Sequence, residues 1–370
     1  MNNTDKIYNL AVAGVQQLIP YKAGKPIEEL ERELGLTQVI KLASNENPLG
    51  PGKKALTAIQ AALPLLALYP DGSGFTLKQA LAEKYAVDAS QITLGNGSNE
   101  ILELVARAFL TPEHEVVFSQ HAFAVYPIVT QAVGATAVVV PALNYGHDLD
   151  AMLKAVNAKT RLVFIANPNN PTGTLLSQAS LERFINALPD TCVCVLDEAY
   201  FEFVSSVESI NSIDWLKKFP NLLITRTFSK AYGLAGLRMG YGLSSPEMAD
   251  ILNRVRQPFN NNTLALVAAE AALGDDEHLQ QTITINALGM QQLTNGFKNL
   301  GLEWIPSAGN FVSVDLKQAG QPIYEALLRK GVIVRPIGNY ELPHHLRISI
   351  GTAAENQLFL QALTETLADV

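Results

Sequence analysis

The sequence has little cysteine, little charge and no long apolar run. Cys192 and Cys194 are the only cysteines in 370 residues, which excludes a disulfide framework for the fold. The pair sits in the apolar run TCVCVLDEAY. Same-face neighbours on one strand hold their sulfurs too far apart for a relaxed bridge, so both read as core thiols. No further Cys or His stands at ligand spacing, which argues against a metal site. Charged residues make up only 17% of the chain, Lys and Arg form no cluster, and the net charge is −8. An acidic chain without a basic patch is not built to bind nucleic acid, although a local basic pocket for a small anion stays open. No stretch approaches the roughly 18–20 apolar residues of a membrane span. The start, MNNTDKIYNLAVAGVQQL, carries no basic segment ahead of an apolar one. No export signal is expected, and the compartment expected is the cytoplasm. Internal repeats and low-complexity segments are also missing, so neither a solenoid nor a disordered tail is indicated.

What is present is apolar mass, 48% of the residues, enough for a large core. The length suggests about two domains at roughly 100–200 residues each. Through the middle, strand-like and helix-like stretches alternate. Strands are predicted at 92–98, 115–119, 135–142, 161–168, 192–200 and 221–230, with helices between them at 100–110 and 179–188. Near-continuous apolar runs are the mark of parallel strands buried on both faces, and the alternation predicts an α/β domain with a mostly parallel central sheet flanked by helices. After Pro258 the pattern changes to long helices over 263–300, then short strands at 311–316 and 345–351 around a helix at 323–331. That reads as a smaller α+β domain. The expected division is an arm over 1–40 that also contributes to the small domain, a large ligand-binding domain over 41–260, and a small C-terminal domain over 261–370.

In open α/β sheets, ligands sit beyond the carboxyl ends of the strands, so the residues there carry the chemistry. GNGSNE (95–100) is a glycine-rich turn between a strand and a helix. Such a turn can present backbone N–H groups to an anion, or it can be turn chemistry alone. It is not a dinucleotide fingerprint, because Glu100 stands where a third glycine is required, and GPGKK (50–54) is not a P-loop, because the first glycine and the Ser/Thr are both missing. NPNNPTG (167–173) is a rigid turn whose Asn170 can donate into the cleft. Asp197 and Glu198 close an otherwise apolar strand, and a carboxylate there needs a cation or donors, in a site or in a structural ion pair. In TFSKAYGLAGLRMG (227–240), Ser229 and Lys230 follow the next strand. Lys230 is either a solvated charge or, desolvated in this weakly polar loop, an amine of lowered pKa able to form a Schiff base. Arg238 can hold an anion bidentately. An anion turn, an asparagine, a buried carboxylate, a nucleophilic lysine with an adjacent serine, and an arginine together match the needs of pyridoxal 5′-phosphate.

These residues, in this order, resemble the fold type I aminotransferases of class I/II, over nearly the whole chain from 41–48 to 345–351. Within that family the pattern is most similar to the histidinol-phosphate aminotransferases. The motifs are PYKAGKP (20–26), ASNENPLGP (43–51), YPDG (69–72), GNGSNE, NPNNPTG, DEAY, TFSKAYGLAGLRMGY, VIVRPIGNY and LRISIGT. The resemblance implies a catalytic Lys230 bonded to the cofactor, Asp197 at the pyridinium nitrogen, and Asn170 and Tyr200 at the ring oxygen. Ser98, Asn99, Ser229 and Arg238 would hold the cofactor phosphate, and Phe123 would stack on the ring, with a packed core position as its plainer alternative. Where many relatives have Pro-Thr ahead of this aromatic residue, the chain has His121-Ala122, which leaves the fine shape of the pocket open. Tyr69 corresponds to a tyrosine that reaches the cofactor phosphate of a neighbouring subunit, which implies a homodimer with shared active sites. Arg347 corresponds to the arginine that binds the substrate carboxylate, and Arg335 and Tyr21 to contacts of the substrate phosphate.

The activity so implied converts L-histidinol phosphate and 2-oxoglutarate to imidazole-acetol phosphate and L-glutamate, a step of histidine biosynthesis. Two alternatives share the cofactor residues: a broader aromatic aminotransferase, and a decarboxylase of a phosphorylated amino acid such as threonine phosphate. A transcription regulator with an aminotransferase-like domain would need a DNA-binding module, and the roughly 40 residues ahead of the domain contain no basic helix to build one.

Overall fold

The computed structural model of the chain describes residues 3–21 and 24–369. Lys22 and Ala23 of the motif at 20–26 lie outside the described residues. A seven-stranded sheet forms the centre. Its order is Ile92–Asn96, Met239–Leu243, Leu222–Thr227, Val193–Asp197, Thr160–Ala166, Glu115–Ser119 and Thr136–Val140. All neighbours pair in parallel except Met239–Leu243, which runs antiparallel to the strands on both its sides.

The alternation of side chains along each strand supplies two cores. Val163, Ile165, Cys194, Leu196 and Ile224 pack on one face; Leu162, Phe164, Val193, Val195 and Leu223 pack on the other. Helices cover both faces, which is why these strands read as unbroken apolar runs. Cys192 and Cys194 are buried, unbridged thiols on a single face. The strand predicted at 135–142 departs from this picture. Thr136–Val140 is the sheet edge, and most of its residues are exposed or half-exposed. A valine-rich run does not by itself distinguish an edge from a centre.

A second sheet, of four antiparallel strands, has the order Arg335–Pro336, His345–Ser349, Phe311–Asp315 and Glu303–Ile305. The helices Asp276–Asn299, Gly320–Arg329 and Ala353–Ala368 close its core around Phe297, Val312, Ile348 and Phe359. The short strand Ile40–Lys41 pairs in parallel with Val332–Ile333 beside it. The helix Thr263–Leu273 lies elsewhere. Its Ala265, Ala268, Ala269 and Ala272 pack into the core of the seven-stranded sheet. The chain therefore leaves the large sheet after this helix, later than the break read at residue 260. Among the described residues, no helix is long and apolar enough to cross a membrane, and no group of three or more His, Cys, Asp or Glu side chains could hold a metal ion.

Candidate active site

The carboxyl ends of four parallel strands open into one cavity of about 590 Å³. The turn after 92–96 brings Ser98 and Asn99 to it, the turn after 160–166 brings Asn170, and Asp197 and Lys230 arrive from two of the three strands between. The smaller sheet closes the far side with Arg335 and Arg347.

Asp197 ends its strand completely buried. Its Oδ2 accepts from Tyr126 Oη at 2.9 Å and its Oδ1 from Thr225 Oγ1 at 3.1 Å. Burial pushes its pKa up, while these two hydrogen bonds pull it down. Glu198, the next residue, faces the opposite way and pairs with the buried Arg226 at 2.8 Å. For Glu198 the structural ion pair is the correct reading, and Asp197 alone reaches the cavity.

Lys230 projects from the loop after Leu222–Thr227, and its Nζ donates to the Ser44 carbonyl at 2.9 Å. Burial, with Arg347 and Arg238 nearby, lowers its pKa from 10.5 to about 7 against the opposing pull of Glu46. A substantial fraction of this amine is therefore unprotonated and nucleophilic near neutral pH. Tyr200 lies 5.8 Å from it, measured from Nζ to the ring centroid. The Tyr200 hydroxyl accepts from Asn45 Nδ2 at 2.9 Å and Asn170 Nδ2 at 3.2 Å, which leaves its own proton to be donated. Burial raises this phenol to about 12, so it stays protonated.

One end of the cavity is built for an anion. Ser98 begins the helix Ser98–Phe109, whose first N–H groups have no partner within the helix. Gly97 precedes it at φ 79°, and a Cβ there would lie 2.5 Å from Arg238 Nη2. Only glycine lets the guanidinium approach so closely. Arg238 Nη1 donates to Ser229 Oγ at 3.3 Å, which joins the two residues that were read from the loop 227–240.

At the other end, Arg335 and Arg347 are direct partners on neighbouring strands. Arg347 is buried; its Nη1 donates to Asn170 Oδ1 at 2.6 Å and its Nη2 to the Ala43 carbonyl at 2.7 Å. Its Nε has no hydrogen-bond partner among the described residues. The Arg335 guanidinium lies 5.6 Å from the Tyr21 ring centroid. Like charges placed directly opposite each other are unfavourable, and both guanidinium groups line the same cavity. Phe123 also lines the cavity and meets Tyr126 edge-on at 5.9 Å. His121 of the departing segment donates its Nδ1–H to the Tyr340 carbonyl at 2.7 Å.

Residues 37–363 match the family of aminotransferases of class I and II. The chain belongs to that family. It is 60% identical over 361 residues to histidinol-phosphate aminotransferase 2 of Pseudomonas fluorescens (strain Pf0-1), covering 97% of this chain and 98% of that protein. It is 57% identical over 362 residues to histidinol-phosphate aminotransferase 1 of Nitrosococcus oceani, covering 98% of both. Among solved structures it resembles histidinol-phosphate aminotransferase from Sinorhizobium meliloti in complex with pyridoxal-5′-phosphate, with a TM-score of 0.90 and 32% identity over 97% of each chain.

Of the thirteen residues singled out from the sequence of this aminotransferase, twelve line the one cavity. Tyr69 does not. Its side chain is 83% exposed and stacks on Phe259 at 4.9 Å, on the outer surface of its own chain. Sequence reasoning missed Tyr126, Thr225 and Asn45, and the strand Met239–Leu243. Thr225 was within reach: in an apolar strand it shares a face with Thr227, two residues on. Tyr126 carried no local signal, because its partner is 71 residues away in sequence.

Proposed function

We propose that the chain transfers the amino group of L-histidinol phosphate to 2-oxoglutarate, yielding imidazole-acetol phosphate and L-glutamate in histidine biosynthesis, with pyridoxal 5′-phosphate as cofactor. The residues fit that cofactor: a buried carboxylate with no ion-pair partner among the described residues, a lysine whose pKa is lowered to about 7, and a helix N-terminus with an arginine lie in one cavity. Bound there, pyridoxal phosphate supplies an aldehyde that condenses with amines and a ring that draws electrons from the carbon bearing the amino group. Asp197 meets the ring nitrogen and favours its protonated form. Tyr200 donates to the ring oxygen, and Asn170 holds that hydroxyl in place. Ser98, Asn99, Ser229 and Arg238 bind the phosphate, and Phe123 covers one ring face. Lys230 Nζ takes the proton from the carbon that bears the substrate amine and redelivers it, as general base and then acid.

The observation that carries the choice of substrate is the opposed pair Arg335 and Arg347 beside Tyr21. A phosphate dianion is the anion best matched to two guanidinium groups. Arg347 serves the glutamate carboxylate in the other half-reaction. Tyr69 extends to the cofactor phosphate of a second subunit, in a homodimer with shared sites. The exposed Leu63, Leu65, Leu66 and Leu68 just ahead of it in the chain, and the exposed Phe259 stacked on it, support this reading. The division into an arm, a cofactor-binding part and a smaller C-terminal part belongs to the same proposal. So does a cytoplasmic location, in keeping with two unbridged thiols. The deciding experiment compares turnover of histidinol phosphate, phenylalanine and tyrosine with 2-oxoglutarate. Preference for histidinol phosphate supports the proposal; equal or better use of the aromatic amino acids replaces it with the broader activity.

A further inference from the structure

Asp197 is a buried carboxylate held by neutral donors. Among the described residues no ion pair involves it; Tyr126 Oη and Thr225 Oγ1 take one oxygen each, at 2.9 and 3.1 Å. Buried charges ordinarily take a counter-ion. The arginine adjacent to Thr225, Arg226, is turned to the other side of its strand and bound to Glu198. The orientation of Asp197 therefore depends on these two hydroxyls, with the backbone N–H of Ala199 as a further neutral donor.

Tyr126 is the more rigid of these. Its side chain is fully buried, and its ring lies flat on Phe164, with centroids 4.6 Å and planes 4° apart. The edge contact with Phe123, which lines the same cavity, comes from three residues earlier in the chain, just ahead of the helix Val125–Ala132. Neither stacking partner offers the hydroxyl a polar group, so Asp197 is the partner that fixes it. Burial and the Asp197 charge hold the phenol pKa far above its ordinary value, so it stays a donor over the whole working pH range.

We propose that Tyr126 is the positioning residue of Asp197: its hydroxyl aims the carboxylate at the cavity, keeps it ionised, and so sets how tightly the site grips a protonated ring nitrogen. This rests on the cavity being a pyridoxal phosphate site. A hydrogen bond to an ionised group shifts an equilibrium by about ten- to a hundredfold. Losing it makes the carboxylate a stronger base, which then competes better with the ring for the shared proton.

Tyr126→Phe keeps the ring and its packing and removes one oxygen. Two readouts apply: the dissociation constant of pyridoxal phosphate from the apoenzyme, by fluorescence titration, and the nitrogen-15 resonance of ring-labelled cofactor in the holoenzyme. The dissociation constant should rise about ten- to a hundredfold, and the resonance should move toward that of unprotonated pyridine. A fluorinated tyrosine at position 126, a stronger donor of nearly the same size, should move both readouts the opposite way. It also serves if Tyr126→Phe fails to fold. Wild-type binding with no change in either readout in the variants overturns the role of Tyr126 and leaves the cofactor reading intact. Failure of the wild-type chain to bind pyridoxal phosphate overturns both.

Discussion

At the residue scale, chemistry follows from desolvation. Lys230 and Asp197 are both pushed toward their neutral forms by burial, from opposite sides of the pH scale. Lys230→Ala should abolish the visible absorption of the bound cofactor and lower transamination by orders of magnitude; an unchanged spectrum with retained turnover would refute its role. The lysine also predicts a pH dependence for the cofactor-free protein. Its folded pKa is about 7 against an ordinary 10.5. Between these values the unfolded chain binds a proton that the folded chain does not, so stability rises with pH across that window. Below about 7 both states carry the proton, and the folded state bears the full cost of burying it. Urea unfolding of the apoenzyme at several pH values should show this rise, and Lys230→Met should flatten it. Arg335 and Arg347 separate the two half-reactions. Arg335→Ala should impair histidinol phosphate about ten- to a hundredfold, from the loss of roughly 1.5–3 kcal/mol, and glutamate much less. Arg347→Ala should impair both. Single-turnover rates of each half-reaction decide, and equal losses for the two donors in Arg335→Ala would remove its phosphate role.

At the element scale, strand ends and helix starts do the positioning. The strand Met239–Leu243 lies between Ile92–Asn96 and Leu222–Thr227, so it sets the spacing between the anion turn and the lysine loop. Its glycines make that spacing possible. A Cβ on Gly240 would collide with the backbone nitrogen of Ser98. Gly240→Val should therefore cost about 1–3 kcal/mol in stability and weaken cofactor binding beyond that, because it displaces the helix N-terminus itself. Thermal unfolding and cofactor titration report the two effects separately, and native affinity in the variant would dissociate this strand from the site. The same glycines explain why MGYGL was not legible as a strand. Gly240 and Gly242 remove the β-branched signal, and close packing against Ser98 and Ile101 is visible only in three dimensions. In contrast, VCVLD and TRLVFIA were legible, because strands buried on both faces must be apolar throughout.

At the scale of the whole molecule, the site is assembled from two sheets. Asn170 on the large part is bonded to Arg347 on the small one, and Ala43 from the connecting segment accepts the same guanidinium. Tyr69 points away from its own cavity, and the dimer proposal turns on it. Lys230→Ala and Tyr69→Ala should each be strongly impaired alone. Unfolded together and refolded, they should recover activity, because half of the sites in mixed dimers combine an intact lysine with an intact tyrosine from the other chain. No recovery on mixing would place Tyr69 outside the site of the second subunit.

The sequence by itself determined the sheet and its chemistry wherever the constraint is local. An apolar run ending in Asp197, a Ser-Lys pair after a strand, and a glycine turn ahead of a helix each declare themselves within ten residues. Only the tertiary structure decided which of two adjacent carboxylates faces the cavity, since the alternation that sends Asp197 inward and Glu198 to Arg226 depends on which face of the sheet the ligand occupies. It likewise decided that Tyr126 supports Asp197, that Arg335 stands opposite Arg347, and that the helix Thr263–Leu273 belongs to the large core. These are contacts between segments far apart in the chain, and a pairing made by packing leaves no spacing for the sequence to display.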